Sequence, residues 1–117
     1  MNITLLKSKL HRVTVTATEL QYDGSITIDS ELLKQANIFP GEQVHVLNIN
    51  NGARFITYTI AAPAHSGKVV LNGPAARLGE VGDNLIVLAY CEIPSREADS
   101  FKLTILWVDE NNIILDQ

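Results

Sequence analysis

The chain has 117 residues, of which 46% are hydrophobic and 19% charged, and its formal net charge is −4. Such a length and composition predict one globular domain over residues 1–117. The acidic balance, with no basic cluster larger than KSKLHR, argues against a nucleic-acid partner. No apolar stretch is long enough for a signal peptide or a bilayer span, and a single cysteine excludes an intrachain disulfide. We therefore expect a cytoplasmic protein with no membrane partner.

The alternation of polar and apolar residues predicts a chain made mostly of short strands. In chain order, the predicted strands cover residues 11–20, 25–28, 43–49, 54–60, 68–72, 84–93 and 103–108. Asp23-Gly24 predicts a two-residue hairpin turn before the second of them, and NNG (50–52) predicts another turn. Residues 109–112 predict the turn of a terminal hairpin that ends with 113–116. Strands this short and regular favour a small closed β-barrel.

Two short helices are predicted between these strands. DSELLKQANI (29–38) begins with a residue that can cap a helix, Asp29 or Ser30, followed by apolar residues at helical spacing. PAARLGEVG (74–82) ends at one of its glycines. The predicted fold class is therefore mainly β with two short helices.

Residues that commonly bind metals or act as nucleophiles are few and scattered. His11, His45 and His65 include no pair at i,i+4 spacing, and none is close to Cys91 in the sequence. Zinc sites usually show local ligand spacing, so we expect no metal. Cys91 lies in an apolar predicted strand, which favours a buried thiol over a nucleophile. No group of glycines forms a phosphate-binding loop of the Walker or dinucleotide type.

Several polar residues stand on or near predicted strands. Because side chains alternate along a strand, Lys9 and His11 share one face, and Arg54 and Tyr58 share another. Thr57 points to the opposite face from Tyr58. Taken singly, each of these residues is more often structural than functional.

Two turns also carry candidate chemistry. Gly24-Ser25 lies at the start of a predicted strand, where a Gly-Ser pair is usually simple turn chemistry. Asn72 and Gly73 lie at the end of the strand KVVLN, where backbone N–H groups are free to bind a ligand. From the residues alone, an ordinary turn is the favoured interpretation at both places.

Five fragments read together resemble one family. KLHRVTVT, YDGSITID, NNGARFITYTI, LNGPAARL and VGDNLIVLAY occur in the order and spacing of the pyruvoyl-dependent aspartate 1-decarboxylases, from Leu5 to about Tyr90. The resemblance implies a double-psi β-barrel that assembles as a homotetramer.

The same resemblance implies self-cleavage between Gly24 and Ser25, which gives a short β chain (1–24) and a longer α chain (25–117). The Ser25 hydroxyl attacks the Gly24 carbonyl to form an ester, and elimination and hydrolysis leave a pyruvoyl group. Glycine keeps the attacked carbonyl accessible and tolerates unusual dihedral angles. The resemblance assigns the oxyanion donor to Thr57, which later also contacts substrate. A serine without an obvious base is a weak nucleophile, so we expect slow maturation, aided by a partner protein.

The implied reaction is the decarboxylation of L-aspartate to β-alanine and CO2, which supplies pantothenate biosynthesis. Loss of CO2 leaves an electron pair on the substrate α-carbon, so the enzyme needs an electron sink. The implied sink is the covalent pyruvoyl group made from Ser25, which forms a Schiff base with the substrate; neither a metal nor pyridoxal phosphate is expected. Tyr58 is the implied proton donor to the α-carbon, because a phenol stays protonated at neutral pH.

Substrate binding is assigned by the same resemblance. Arg54 and Lys9 are the cations that we pair with the two carboxylates of aspartate, since the planar fork of arginine suits a carboxylate. Gly73, Pro74 and Ala75 form the turn whose backbone completes the pocket.

Four further positions qualify this assignment. Asn72 lies close to the implied pocket, and His11 is a weaker candidate for a role in the pocket wall. Pro74 stands where the family usually has alanine, and proline has no N–H to donate to substrate. Leu47 stands where relatives often have tryptophan, which predicts a looser pocket wall.

Two alternative functions remain open. A small β-barrel that only binds or regulates would keep the strands but would not need Gly24-Ser25, Arg54 and Tyr58 together. A decarboxylase of the same fold that acts on another acidic amino acid would need all of them.

Overall fold

A computed structural model describes residues 1–115, which form eight strands, one α-helix and two 3-10 helices. The strands are β1 (Asn2–Thr14), β2 (Ala17–Glu19), β3 (Ser25–Asp29), β4 (Gln43–Asn48), β5 (Arg54–Ala62), β6 (Val69–Asn72), β7 (Asn84–Pro94) and β8 (Thr104–Trp107). The helices are α1 (Ser30–Gln35) and the 3-10 segments η1 (Gly73–Arg77) and η2 (Ser95–Ser100). This mainly β architecture with short helices confirms the predicted fold class.

The strands close into a barrel. They form one mixed sheet in the order β2-β6-β3-β5-β4-β7-β1-β8. β1 and β2 are separated in the chain by only Val15 and Thr16, although they lie near opposite ends of this order. The Val15 N–H donates to the Asp83 carbonyl at 2.9 Å, and the Thr16 N–H donates to the Val69 carbonyl at 2.8 Å. These bonds join the two sides of the sheet, so the predicted closed barrel is confirmed.

The core fills the inside of this barrel. In the longer strands, alternate residues point inward and are apolar, so these strands bury one face, whereas all three residues of β2 are exposed. The largest fully buried side chains are Leu10, Val13, Val15, Ile26, Ile28, Leu32, Leu33, Val44, Val46, Val69, Leu71 and Leu85. Two of these come from α1, whose N-terminus is capped by the Asp29 carboxylate accepting from the Glu31 N–H at 2.8 Å. The outward-facing residues of the same strands remain available for a functional site.

The first predicted strand is wrong in its bounds. We predicted one strand over residues 11–20, whereas β1 begins at Asn2 and ends at Thr14, before a separate β2. The pairing of β1 with β7 shifts between His11 and Val13, and Arg12 has a positive φ of 70°. An extra residue of this kind is a β-bulge, which bends a strand and increases its twist. Val13 and Thr14 still pair with β7 beyond this bend, and the chain then continues into β2, which pairs with β6.

The hairpin predicted at Asp23-Gly24 is also wrong. β2 and β3 do not pair with each other, because both pair with β6, β2 in parallel and β3 in antiparallel orientation. The strand β6, from later in the chain, therefore forms the pairings that the turn sequence predicted between β2 and β3. As a result, Gly24 and Ser25 lie directly beside the end of β6.

Smaller differences concern the second helix and the C-terminus. The helix predicted over residues 74–82 is the shorter η1, and η2 was not predicted. The terminal hairpin consists of β8 and a single antiparallel bridge between Val108 and Ile114; residue 116 of its predicted last strand lies outside the described residues. Within residues 1–115, none of the helices has the length and apolar character needed to cross a membrane.

Candidate active site

Ser25 is the first residue of β3, and its side chain is fully buried. Its hydroxyl donates a hydrogen bond to the Asp23 carbonyl at 3.1 Å. It also accepts a bond from the Asn72 amide nitrogen at 3.0 Å, because β3 and β6 pair with Ser25 opposite Asn72. The hydroxyl is therefore fixed from two sides in a dry environment, which is unusual for an ordinary turn serine.

Asn72 is itself held in place. It is 3% exposed, and its side-chain nitrogen donates to the Thr27 hydroxyl at 2.8 Å as well as to Ser25. Both N–H groups of the amide are thus used, so the amide has one favoured orientation. Thr27 and Asn72 together form a polar support behind the Ser25 hydroxyl.

The corner between β6 and η1 lies against the segment that precedes Ser25. Gly73 has a φ of +62°, and a Cβ there would lie 2.5 Å from the Tyr22 carbonyl oxygen and 2.8 Å from the Gly24 nitrogen. Only glycine allows so close an approach in this backbone conformation. A Cβ on Gly24, in contrast, would meet only the Pro74 ring, at 3.4 Å. Packing therefore explains the glycine at 73, whereas the glycine at 24 calls for a chemical reason.

Thr57 and Tyr58 lie on β5 beside the start of β3. The two strands are parallel, with Ile26 opposite Thr59. Counting back along both strands places Tyr58 level with Ser25 and Thr57 level with Gly24. Tyr58 is 39% exposed, and Thr57 points to the other face of the sheet, as the alternation predicted. The two side chains thus lie on opposite faces of β5, level with Gly24 and Ser25.

β5 extends past the start of β3. It begins at Arg54, whereas its pairing with β3 begins only at Thr59. Within residues 1–115, the intervening residues pair with β4 on one side, and no described strand pairs with them on the side of Gly24. Free backbone groups along such an edge can hydrogen-bond an extended ligand.

A cleft of about 620 Å³ opens beside this support. Its lining includes Tyr22, Thr27, Ile60, Lys68 and Asn72. Among these residues, Asn72 donates hydrogen bonds to the Thr27 hydroxyl and to the Ser25 hydroxyl. The volume is within the range of about 300–1,000 Å³ that is typical of small-molecule sites. The polar residues of the lining include Glu19, Gln21, Lys68 and Asn72.

Arg54 is held on the outer face of the barrel by neutral groups. Its Nη2 lies 3.3 Å from His45 Nδ1 and donates to the Tyr90 hydroxyl at 3.3 Å. The rings of His45 and Tyr90 contact each other edge to face, with centroids 4.9 Å apart. In residues 1–115 the one salt bridge is between Lys7 and Glu42, at 2.6 Å, so no described carboxylate neutralises Arg54.

The structure does not bring Lys9 and His11 to Ser25 within one protomer. Both lie on β1, and β4 and β7 separate β1 from β5. Measured along the curved sheet, the three strand spacings from β5 to β1 amount to about 14 Å. Lys9 and His11 therefore lie on a different part of the sheet from Ser25.

His11 has an environment of its own. Its ring packs against Trp107 with centroids 4.2 Å apart, and its Nδ1 is buried without a hydrogen-bond partner among the described residues. Burial lowers the pKa of His11 below the usual 6.5, and the nearby charges of Lys9 and Arg12 lower it further. Both effects favour the neutral form of the imidazole. No group of three or more His, Cys, Asp or Glu residues in the described part of the chain is arranged to hold a metal ion.

Some residues of the site were missed by sequence reasoning. Thr27 lies two residues after Ser25 on the same strand, so the alternation of side chains was a sufficient signal for it. The Asp23 carbonyl is a backbone group, for which no sequence signal exists. His45 and Tyr90 come from strands whose register with β5 is visible only in the fold.

Comparison with known proteins identifies the family. The sequence profile described as aspartate decarboxylase matches residues 1–115. An aspartate 1-decarboxylase of Campylobacter jejuni is 55% identical over 112 residues, which are 96% of this chain and 88% of that one. One from Caulobacter vibrioides is 52% identical over 97% of each chain. Among solved structures, the rationally designed protein mkDPBB_sym_86 aligns with 68% of this chain and 91% of its own at 15% identity and a TM-score of 0.49. The profile and the two relatives show that this chain belongs to the aspartate decarboxylase family.

Proposed function

We propose that this chain is an aspartate 1-decarboxylase, which converts L-aspartate to β-alanine and CO2 and thereby supplies pantothenate biosynthesis. Family membership and the two relatives above 50% identity carry the reaction class. The structural observation that carries the mechanism is Ser25, whose buried hydroxyl follows Gly24 directly and is held by Asn72. A binding module would have no need for a buried, oriented hydroxyl at this position.

Maturation begins at the bond between Gly24 and Ser25. The Ser25 Oγ attacks the Gly24 carbonyl carbon, the peptide C–N bond breaks, and an ester replaces the amide. Elimination then releases the Gly24 carboxylate and leaves dehydroalanine, which water hydrolyses to a pyruvoyl group and ammonia. Thr57, level with Gly24 on β5, donates to the oxyanion of the first step. No base lies within hydrogen-bond distance of Ser25 among the described residues, which supports slow cleavage assisted by a partner protein.

The surroundings of Ser25 fit a pyruvoyl group. The Asn72 amide donates to the present hydroxyl and would equally donate to a carbonyl oxygen in its place. Gly73 packs closely against the Tyr22–Gly24 segment, with no room for a Cβ between them. When formed, the group supplies a ketone that condenses with the substrate amine and accepts the electrons released with CO2.

The remaining chemistry falls to residues of the chain. Tyr58, level with Ser25 and partly exposed, returns a proton to the substrate α-carbon. The Thr57 hydroxyl and the backbone N–H groups of Gly73 and Ala75 hold the substrate. Pro74 contributes shape and no donor, because it lacks an N–H.

Arg54 and Lys9 bind the carboxylates of aspartate. Arg54 has no carboxylate partner among residues 1–115, and Lys9 lies on β1, three strands away from β5 along the sheet; this separation supports a complete site that includes a second copy of the chain. An outer face that exposes Ile56, Ile105 and Trp107 supports such an assembly, which we take to be a homotetramer. His11, stacked on Trp107, then forms part of the pocket wall.

Intact mass spectrometry combined with a turnover assay tests this function. The purified chain should separate into fragments of 24 and 93 residues without added protease, counted from the printed sequence on either side of the bond. NMR should then show conversion of aspartate to β-alanine, with much less turnover of glutamate. A chain that stays whole with a maturation partner present, or that is cleaved but inert towards aspartate, would contradict the proposal.

A further inference from the structure

Arg54 is oriented by two side chains that have no part in the reaction described above. We infer that His45 is a positioning residue, which holds the Arg54 guanidinium in place for a substrate carboxylate without neutralising it. This inference rests on the proposed function, because it takes Arg54 as a carboxylate-binding residue. It adds a determinant of substrate affinity that lies on a different strand.

The register of three strands places His45 next to Arg54. Leu47 of β4 is opposite Arg54 of β5, and His45 lies two residues away on the same face of β4. Diagonal neighbours on adjacent strands lie within reach of long side chains. On the other side, His45 is opposite Leu88 of β7, two residues from Tyr90. The three polar side chains therefore form a continuous diagonal across the outer face.

Hydrogen-bond chemistry fixes the protonation of His45 in this contact. A guanidinium has only donors, so His45 Nδ1, 3.3 Å from Arg54 Nη2, must be the acceptor. The imidazole is then neutral and carries its proton on Nε2. The Tyr90 hydroxyl accepts at the same Nη2, at 3.3 Å. Three of the five guanidinium N–H donors therefore stay available to a ligand.

A neutral acceptor suits this task better than a carboxylate. A carboxylate would form a salt bridge that a substrate anion must displace, whereas imidazole and phenol orient the cation and leave its charge unpaired. No carboxylate in residues 1–115 lies within salt-bridge distance of Arg54. The edge-to-face contact of the two rings also limits how His45 can turn.

Replacement of His45 by leucine tests the inference. His45→Leu removes the acceptor and keeps an apolar strand residue, so KM for aspartate should rise about three- to ten-fold, the usual worth of one hydrogen bond, with kcat within about two-fold. His45→Asn retains a neutral acceptor near the position of Nδ1 and should restore KM to within about two-fold of the wild type. Calorimetric binding of succinate, a dicarboxylate without an amine, should weaken in His45→Leu by the same factor as KM.

Two further variants separate this inference from the proposed function. If His45 acts through Arg54, His45→Leu should add nothing to the succinate affinity already lost in Arg54→Ala. His65→Asn, which removes an exposed loop imidazole where asparagine tolerates the positive φ, should leave KM unchanged. Unchanged KM and succinate affinity in His45→Leu, or equal damage in His45→Asn, would overturn the inference. A wild-type enzyme inert towards aspartate would instead overturn the proposed function.

Discussion

The side chains of Ser25 and Arg54 differ in how completely one copy of the chain satisfies their hydrogen-bonding groups. Ser25 is fully buried, and its hydroxyl has a donor and an acceptor at 3.0 and 3.1 Å. Arg54 is exposed, and its two contacts are both at 3.3 Å with neutral groups. Under the proposed function, the attacking group of self-cleavage is therefore already hydrogen-bonded within one protomer, whereas Arg54 keeps donors available for a substrate.

This difference has an energetic basis. Buried polar groups must be paired, so the Ser25 hydroxyl could be buried only with Asn72 and the Asp23 carbonyl beside it. An arginine that binds a substrate cannot have all its donors hydrogen-bonded within the protein, because the guanidinium would then have none left for the substrate. Maturation and substrate binding should therefore respond differently to mutation.

The largest effect is expected at Ser25. Ser25→Ala removes the attacking oxygen, so the chain should stay whole and make no β-alanine. Intact mass spectrometry should show one species of full length after prolonged incubation. Ser66→Ala, which removes an exposed hydroxyl outside the site, should mature like the wild type. Cleavage of the Ser25→Ala chain at the same bond would place the nucleophile elsewhere.

A smaller but still large effect separates maturation from turnover. Tyr58→Phe deletes one hydroxyl and keeps the ring, so it should mature normally while decarboxylation falls by roughly 10²–10⁴, the usual worth of a positioned general acid. Thr57→Val should show the reverse and stall at cleavage. Mass spectrometry follows the first step and β-alanine formation the second. The assignment of Tyr58 is falsified if Tyr58→Phe makes β-alanine at the wild-type rate.

Arg54 should affect recognition and leave maturation intact. Arg54→Ala should cleave normally and lose about 10- to 150-fold in kcat/KM for aspartate, which corresponds to about 1.5–3 kcal/mol for a hydrogen bond to a charged group. Arg54→Lys should restore only part of the loss, since a point charge lacks the planar fork. Wild-type kcat/KM in Arg54→Ala would remove this residue from the site, and failed cleavage would show that the two regions are not independent.

The barrel and the faces of its strands could be predicted from sequence because both follow from local alternation. Arg54 and Tyr58 share a face of β5, and Thr57 lies on the other, as period two requires. The double-psi type came from resemblance to the family, to which the chain is now shown to belong. Composition and periodicity alone led only to a closed barrel.

The missed features all depend on pairing between distant parts of the chain. A hairpin was expected at Asp23-Gly24, but β2 and β3 both pair with β6, which lies more than 40 residues later in the sequence. That same pairing sets Asn72 opposite Ser25, and it was therefore invisible beforehand. The bulge at Arg12 could not be predicted from the local sequence either, because arginine rarely adopts a positive φ.

The smallest expected effect concerns His11, whose buried Nδ1 has no hydrogen-bond partner among the described residues. Burial lowers the pKa of His11 in the folded chain below the usual 6.5, and Lys9 and Arg12 add to this. The unfolded chain therefore binds more protons at pH values between the folded pKa and 6.5. The free energy of unfolding should consequently fall as pH drops from about the usual histidine pKa towards the lower folded one, and this contribution should be flat above it.

His11→Phe makes that contribution measurable, because phenylalanine keeps an aromatic ring against Trp107 and cannot take up a proton. Urea unfolding of the uncleaved Ser25→Ala chain, with and without His11→Phe, should be compared at pH 8 and pH 5. The His11→Phe chain should lose less stability on acidification, while His65→Asn, in an exposed loop, should follow the parent chain. Equal losses in the His11→Phe and parent chains would mean that protonation of His11 costs the fold nothing. In that case the folded chain would solvate the protonated imidazole as well as the unfolded chain does. The His11 Nδ1, which has no hydrogen-bond partner among the described residues, would then have to gain one on protonation.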